Sequence, residues 1–104
     1  MAVMSVTVMT IKPGRYADFL AGTKDSDALL EKCGAKNLRL IAGLAAGEGS
    51  GSIVATWEAD DFEAFGKVSQ AFFTSGGAEV MEGIGGADSP VASWQNSTFV
   101  DIET

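Results

Sequence analysis

The chain opens on an alternation. In residues 3 to 11, Met4, Val6 and Val8 point one way and Ser5, Thr7 and Met9 the other. That is the period of a strand with one apolar and one mixed face. Pro13-Gly14 ends it, because proline cannot extend a ladder and glycine permits a sharp turn. From Tyr16 the spacing becomes helical, with residues 16, 19, 20, 23, 30 and 33 on one stripe. Asp27 falls inside that stripe and Gly22 weakens the helix, so a bend or fraying is expected over residues 22 to 27. Gly34 stands where a helix-ending glycine belongs. Alternation returns from residue 36 to 47, with Leu38, Leu40, Ala42 and Leu44 set against Asn37, Arg39 and Ile41. The cluster "GEGSG" predicts a turn. In "SIVATWE", Ile53, Ala55 and Trp57 share one face and Val54 and Thr56 the other, so the second and third strands form a hairpin. Asp60 or Asp61 can cap a second helix, whose stripe is Phe62, Phe65, Ser69, Phe72 and Phe73. "TSGG" interrupts it, and "AEVMEGIGG" supplies a short amphipathic helix through Val80, Met81 and Ile84. After Ser89-Pro90 the last strand is "VASWQNSTFVDIE".

Strand, helix, strand, strand, helix, strand is the split β-α-β plan. It predicts an α+β, ferredoxin-like sandwich spanning residues 1 to 104 as one domain. Right-handed crossovers give an antiparallel sheet in the order 4-1-3-2. Both helices then cover one face, where the phenylalanine stripe fits. The other face, expected to show Met9, Ile41, Val54 and a Trp, is too apolar for water and calls for a second copy of the chain.

Composition narrows the chemistry. The formal net charge is −7 and no segment concentrates Lys or Arg, so neither nucleic acid nor an anionic membrane is an expected partner. No apolar run approaches the roughly 20 residues of a membrane span. The first ten residues read as a strand, not a leader. A single cysteine excludes an intrachain disulfide and suits a reducing cytoplasm. There is no histidine. That removes a His-ligated haem, a conventional zinc site and any His-based triad or proton shuttle. No cofactor or metal is expected.

"IKPGRYADFL" (strand, Pro-Gly, then a helix with aromatic Phe19) and "TWEADDFEAF" (strand-ending Trp, acidic cap, then a Phe pair) resemble the dimeric α/β-barrel superfamily. Its members include antibiotic-biosynthesis-type monooxygenases and stress-responsive barrel proteins. The resemblance implies a homodimer with its sheets face to face. It also implies a pocket in each subunit, between the sheet and its own helices or within the barrel. The departures are specific. Haem-degrading members hold iron with a His that is absent here. Cofactor-free quinone-forming monooxygenases often carry an Asn four residues before the Trp, where this chain has Ile53, and a His near the second helix, where it has Lys67. The resemblance therefore brings no catalytic machinery with it.

The candidate ligand-binding residues are Tyr16, Asn37, Arg39, Trp57, Trp94 and Asn96. Trp94, Asn96 and Thr98 share one strand face, an aromatic body beside an amide and a hydroxyl, as a pocket needs. The same residues would serve a dimer seam, and Trp57 and Trp94 would serve a core. Arg39 suits an oxyanion or carboxylate held by two bonds; an edge-strand charge that blocks aggregation has the same appearance. Tyr16 begins the first helical stripe, and its hydroxyl can reach a strand–helix corner; Arg15, off the stripe, is solvated. Cys33 reads as a core residue, because a helix C-terminus disfavours a thiolate. The glycines around residues 76 to 86 lack the P-loop lysine, but with their short helix they can form a lid. Two functions stay open. One is a pocket protein, enzymatic in a monooxygenase-like or isomerase-like way without metal or haem, taking a small apolar or aromatic ligand. The other is a non-catalytic ligand-binding, structural or stress-related dimer. A cavity closed by Phe and Leu with no polar group inside would remove the enzyme.

Overall fold

The computed structural model describes residues 2–42, 52–86 and 88–102. Its elements run β1 (Val3–Ile11), α1 (Tyr16–Lys32), β2 (Lys36–Ala42), β3 (Ser52–Ala59), α2 (Phe62–Phe72), a π turn (Phe73–Gly77), α3 (Ala78–Gly85) and β4 (Val91–Val100). The sheet order is β2-β3-β1-β4 with antiparallel neighbours throughout. This is the ferredoxin-like plan that the alternating and helical patterns predict. Leu44 and the turn "GEGSG" lie outside the described residues.

Local chemistry sets the element ends. Gly14, at φ 76°, carries the chain from β1 towards α1, and the Arg15 N–H bonds back to the Lys12 carbonyl. At the far end of α1, Gly34 adopts φ 104°. Ala35 N–H reaches Leu30 O and Gly34 N–H reaches Glu31 O, the reciprocal pattern that closes a helix on glycine. Asp61 caps α2 by accepting from the Ala64 N–H at 2.8 Å. The bend expected over residues 22 to 27 does not occur: α1 is continuous from Tyr16 to Lys32. Thr23 bonds within the helix, to the Phe19 carbonyl at 2.9 Å, and the cost of one glycine, about 1 kcal/mol, does not break a helix of this length.

Register assigns the two sheet faces. Met9 pairs with Ile53 and with Trp94, while Val8 pairs with Val54 and Gln95. Met9, Phe19, Ile53 and Val91 are all buried and form one core cluster between the sheet and α1. Met9 therefore belongs to the covered face, which corrects its expected place on the bare one. Ile41 and Val54 do lie on the open face, opposite each other. That face also carries Met4, Val6, Val8 and Phe99, with Val8 41%, Ile41 39% and Phe99 53% exposed. Both tryptophans lie on the covered face. The α2 stripe is also narrower than its spacing predicts. Phe62 and Phe73 are exposed; Val68 and Phe72 are the buried residues. Phe62 sits in the first turn and Phe73 starts the π turn, so neither follows the stripe onto the sheet.

The π turn contains Gly76 at φ 109°, in the left-handed region that glycine tolerates. A side chain on Gly77 would overlap the ring and carbonyl of Phe72. These two glycines let the chain kink sharply between α2 and α3. In β2, Lys36 faces Glu58 but Arg39 faces Thr56, so three residues span what two span on β3. This is a β-bulge, and Asn37 inside it has φ 52°.

Candidate functional site

Between the covered sheet face and the helices lies a cavity of about 690 Å³. It falls within the size of small-molecule sites, about 300–1,000 Å³. The floor comes from β1, β3 and β4, whose alternate residues Ser5, Thr7, Met9, Ala55, Trp57, Trp94, Asn96 and Thr98 point the same way. The walls come from Phe19, Thr23, Asp27 and Leu30 of α1 and from Phe65, Ser69 and Phe72 of α2. Phe73, Val80 and Gly83 bring the π turn and α3 to its edge.

The floor has a polar seam. The Asn96 Nδ2 group donates to Ser5 Oγ at 3.0 Å and to Thr7 Oγ1 at 2.8 Å, and lies 3.3 Å from the Val6 carbonyl oxygen. Antiparallel register produces this grouping: Asn96 lies opposite Thr7, and Ser5 is two residues along the same face. Ser5 is 5% exposed, so its hydroxyl is a buried polar group that this amide satisfies.

Two aromatic groups bound the seam. The Trp57 indole stacks on Phe65 with centroids 4.7 Å apart and planes 13° from parallel, so α2 holds its orientation. Trp94 lines the cavity yet is 42% exposed, so the cavity is open to solvent beside it.

Charge in the lining has one sign. Asp18, Asp25 and Asp27, all from α1, line the cavity, and no Lys or Arg does among the described residues. Asp18 is tied to Arg15 Nε at 2.7 Å. The half-buried Asp27 carboxyl is pushed above the ordinary carboxylate range, first by burial and then by the nearby Glu31 carboxylate. Its position inside the helical stripe is the sequence signal that marked it. Phe19, Thr23 and Asp27 are four residues apart, so one helix face carries an aromatic anchor, a hydroxyl and an acid to the cavity.

Of the six residues singled out from the sequence, Trp57, Trp94 and Asn96 come together here. Tyr16, 51% exposed, and Asn37 and Arg39, both exposed, are not among the lining. Arg39 pairs with Thr56 on the open sheet face. Arg15 bonds to Asp18 and, at 3.0 Å, to the Asp88 carbonyl, so it ties the start of α1 to the segment before β4. Lys67 pairs with Glu63 on the outside of α2. Ile53 is core, and Cys33 is half-buried. Sequence reasoning missed Ser5 and Thr7, because they share a mixed strand face with Met9, expected on the bare side of the sheet. Among the described residues no cluster of His, Cys, Asp or Glu could hold a metal ion, and no helix is long and apolar enough to cross a membrane.

No family model and no curated protein matches the chain. Solved structures do. A NIPSNAP-like domain protein from Burkholderia xenovorans superposes with a TM-score of 0.69 at 12% identity, covering 97% of this chain and 85% of that one. SnoaB, a cofactor-independent oxygenase from Streptomyces nogalater, gives a TM-score of 0.69 at 16% identity over 99% and 95%. A putative antibiotic biosynthesis monooxygenase from Bordetella bronchiseptica gives 0.65 at 18% identity over 98% of both chains. The fold is thus shared with NIPSNAP-like and monooxygenase-like proteins along nearly the whole chain. At these identities the likeness concerns the fold alone.

Proposed function

We propose that this chain binds a flat, electrically neutral, mainly apolar small molecule with one carbonyl or phenolic oxygen, in the cavity between its sheet and helices. One observation carries the reading: a roomy, apolar-walled cavity with the Asn96–Ser5–Thr7 seam on its floor and two tryptophans beside it. A cavity closed by Phe and Leu would have favoured a purely structural protein, and this one is neither closed nor uniformly apolar. Neutrality follows from the walls, since three carboxyls and no cation repel carboxylates and phosphates. Similarity in fold to a cofactor-independent oxygenase supports chemistry that needs no metal or haem. With no histidine in the chain, a monooxygenase-like or isomerase-like reaction would depend on a carboxyl for its proton transfers.

The same reading takes the protein to be a homodimer in the cytoplasm, joined through the open sheet face. Val8, Ile41 and Phe99 are large, apolar and solvent-exposed there, and a chain of 104 residues gains from the extra burial. Light scattering should return a mass near twice 10.7 kDa; a monomer at micromolar concentration removes the dimer. For the cavity, a thermal-shift series of naphthols, bicyclic ketones and long-chain ketones should raise the melting temperature for at least one class. No shift from any class removes the binding reading.

A further inference from the structure

The seam has a direction. The Val6 carbonyl can only accept, so the edge of the Asn96 amide turned to the sheet is its NH₂ group. An amide nitrogen has no free lone pair, so neither hydroxyl can donate to it: Ser5 Oγ at 3.0 Å and Thr7 Oγ1 at 2.8 Å accept its two hydrogens, and the longer 3.3 Å contact to the Val6 carbonyl shares one of them. Each hydroxyl then keeps its own hydrogen, and neither has an acceptor among the described residues. The two hydrogens remain for whatever fills the cavity these residues line. Having accepted a bond, each hydroxyl is also a better donor. The floor is therefore a pair of oriented, polarised donors, one of them on a residue 5% exposed.

Across the cavity stands Asp27. It is the half-buried carboxyl of the α1 wall; Asp18 and Asp25 are exposed. Arg15 holds Asp18, and Glu31 is the charged neighbour that acts on Asp27. No charged side chain from the sheet, α2 or α3 lines the cavity among the described residues. Donors on one wall and a carboxylate on another are the two groups that enolisation of a ketone requires.

Building on the binding reading above, we propose that the cavity is a proton-transfer site for neutral ketones, with Asp27 as the base and the Ser5 and Thr7 hydroxyls, set by Asn96, as the oxyanion donors. The Asp27 carboxylate takes a proton from the carbon beside the ketone. The C–H electron pair becomes the new C=C bond, and the carbonyl π pair moves onto oxygen, where Ser5 and Thr7 donate to it. The protonated Asp27 trades its hydrogen with solvent and delivers one back to the same carbon, which gives exchange, or passes the original proton to a carbon conjugated with it, which gives isomerisation. Nothing is oxidised or reduced, and no co-reactant is consumed.

β-Tetralone, a neutral bicyclic ketone, tests this in D₂O. Its binding is read from tryptophan fluorescence, and loss of its α-hydrogen signals from proton NMR. The protein should speed exchange about a hundredfold over matched buffer. Asp27→Asn should remove at least about tenfold of that with a melting curve that stays cooperative. Thr7→Val should lower exchange severalfold while probe affinity stays within about threefold. A probe that binds but exchanges no faster than in buffer overturns the proposal and leaves the binding reading standing. So does exchange that is unchanged in Asp27→Asn. A probe that does not bind overturns the proposal, and failure of the whole thermal-shift series overturns the binding reading with it.

Discussion

The two faces of the sheet depart from the usual division between inside and outside. The face under the helices carries Ser5, Thr7, Asn96 and Thr98, while the uncovered face carries Met4, Val6, Val8, Ile41, Val54 and Phe99. In an ordinary two-layer sandwich the covered face is apolar and the free face polar. Here, on the proposed reading, each face is adapted to something beyond the single chain. The covered face combines a compact apolar core at Met9, Phe19, Ile53 and Val91 with a hydrogen-bonded seam beside it. The open face has the composition of an interface, with Gln95, Ser97 and Thr10 mixed among its apolar residues.

The sharpest way to separate the faces is to damage each in turn. Phe19→Ala removes the aromatic anchor that ties α1 to the core. It should cost about 3–5 kcal/mol in denaturant unfolding, and the loss should not depend on protein concentration. Val8→Glu puts a charge at the centre of the open face. It should weaken self-association by at least about a hundredfold, near 3 kcal/mol, visible as a monomer in light scattering. It should leave the cavity and its ligands unchanged. If Val8→Glu instead lowers stability equally at all concentrations, the contrast between the faces is wrong.

Gly77→Ala acts on the covered face through its edge. The new methyl would overlap Phe72, so α3 must shift, at a cost of about 1–3 kcal/mol and with altered ligand affinity by thermal shift.

The smallest effect concerns Asp27. Its carboxyl is raised above its ordinary value of 3.8, so ionisation is harder in the folded state than in the unfolded one. Below 3.8 both states hold the proton and no penalty exists. As pH rises from there through the raised folded value, the unfolded chain releases its proton first and stability falls. Asp27→Asn should therefore be more stable than the parent at neutral pH, with the gain disappearing in acid. Melting curves across that range read it; a gain that persists in acid would place the effect elsewhere.

The order of elements was legible because each declares its own period. Val3–Ile11 and Ser52–Ala59 alternate, and the Pro13-Gly14 and Gly34 breaks are strong local signals. The choice of face was not legible. Both faces of β1 are partly apolar, so alternation alone leaves two solutions, and Ser5 with Thr7 makes the covered side look wet. Only the Asn96 amide, opposite Thr7 and distant in sequence, makes that side tolerable under helices. Asp27 was visible as an irregularity in a helical stripe; it breaks the stripe's polarity but not the helix. Asn37 lies in a bulge that no period-two count detects, and Arg39 pairs on the open face.

The place of β1 in the middle of the sheet also sets the order in which the protein can form. Both of its ladder partners are remote: Val3 pairs with Ala59 on one side and with Val100 on the other. No local hairpin can protect this strand, and contacts between chain segments so distant close slowly. Until β4 arrives, one edge of an apolar strand stays unsatisfied, and Ser5 and Thr7 wait for the amide that completes them. The protein should be a slow folder whose early states aggregate through β1, and the seam that equips the cavity is among the last parts to close.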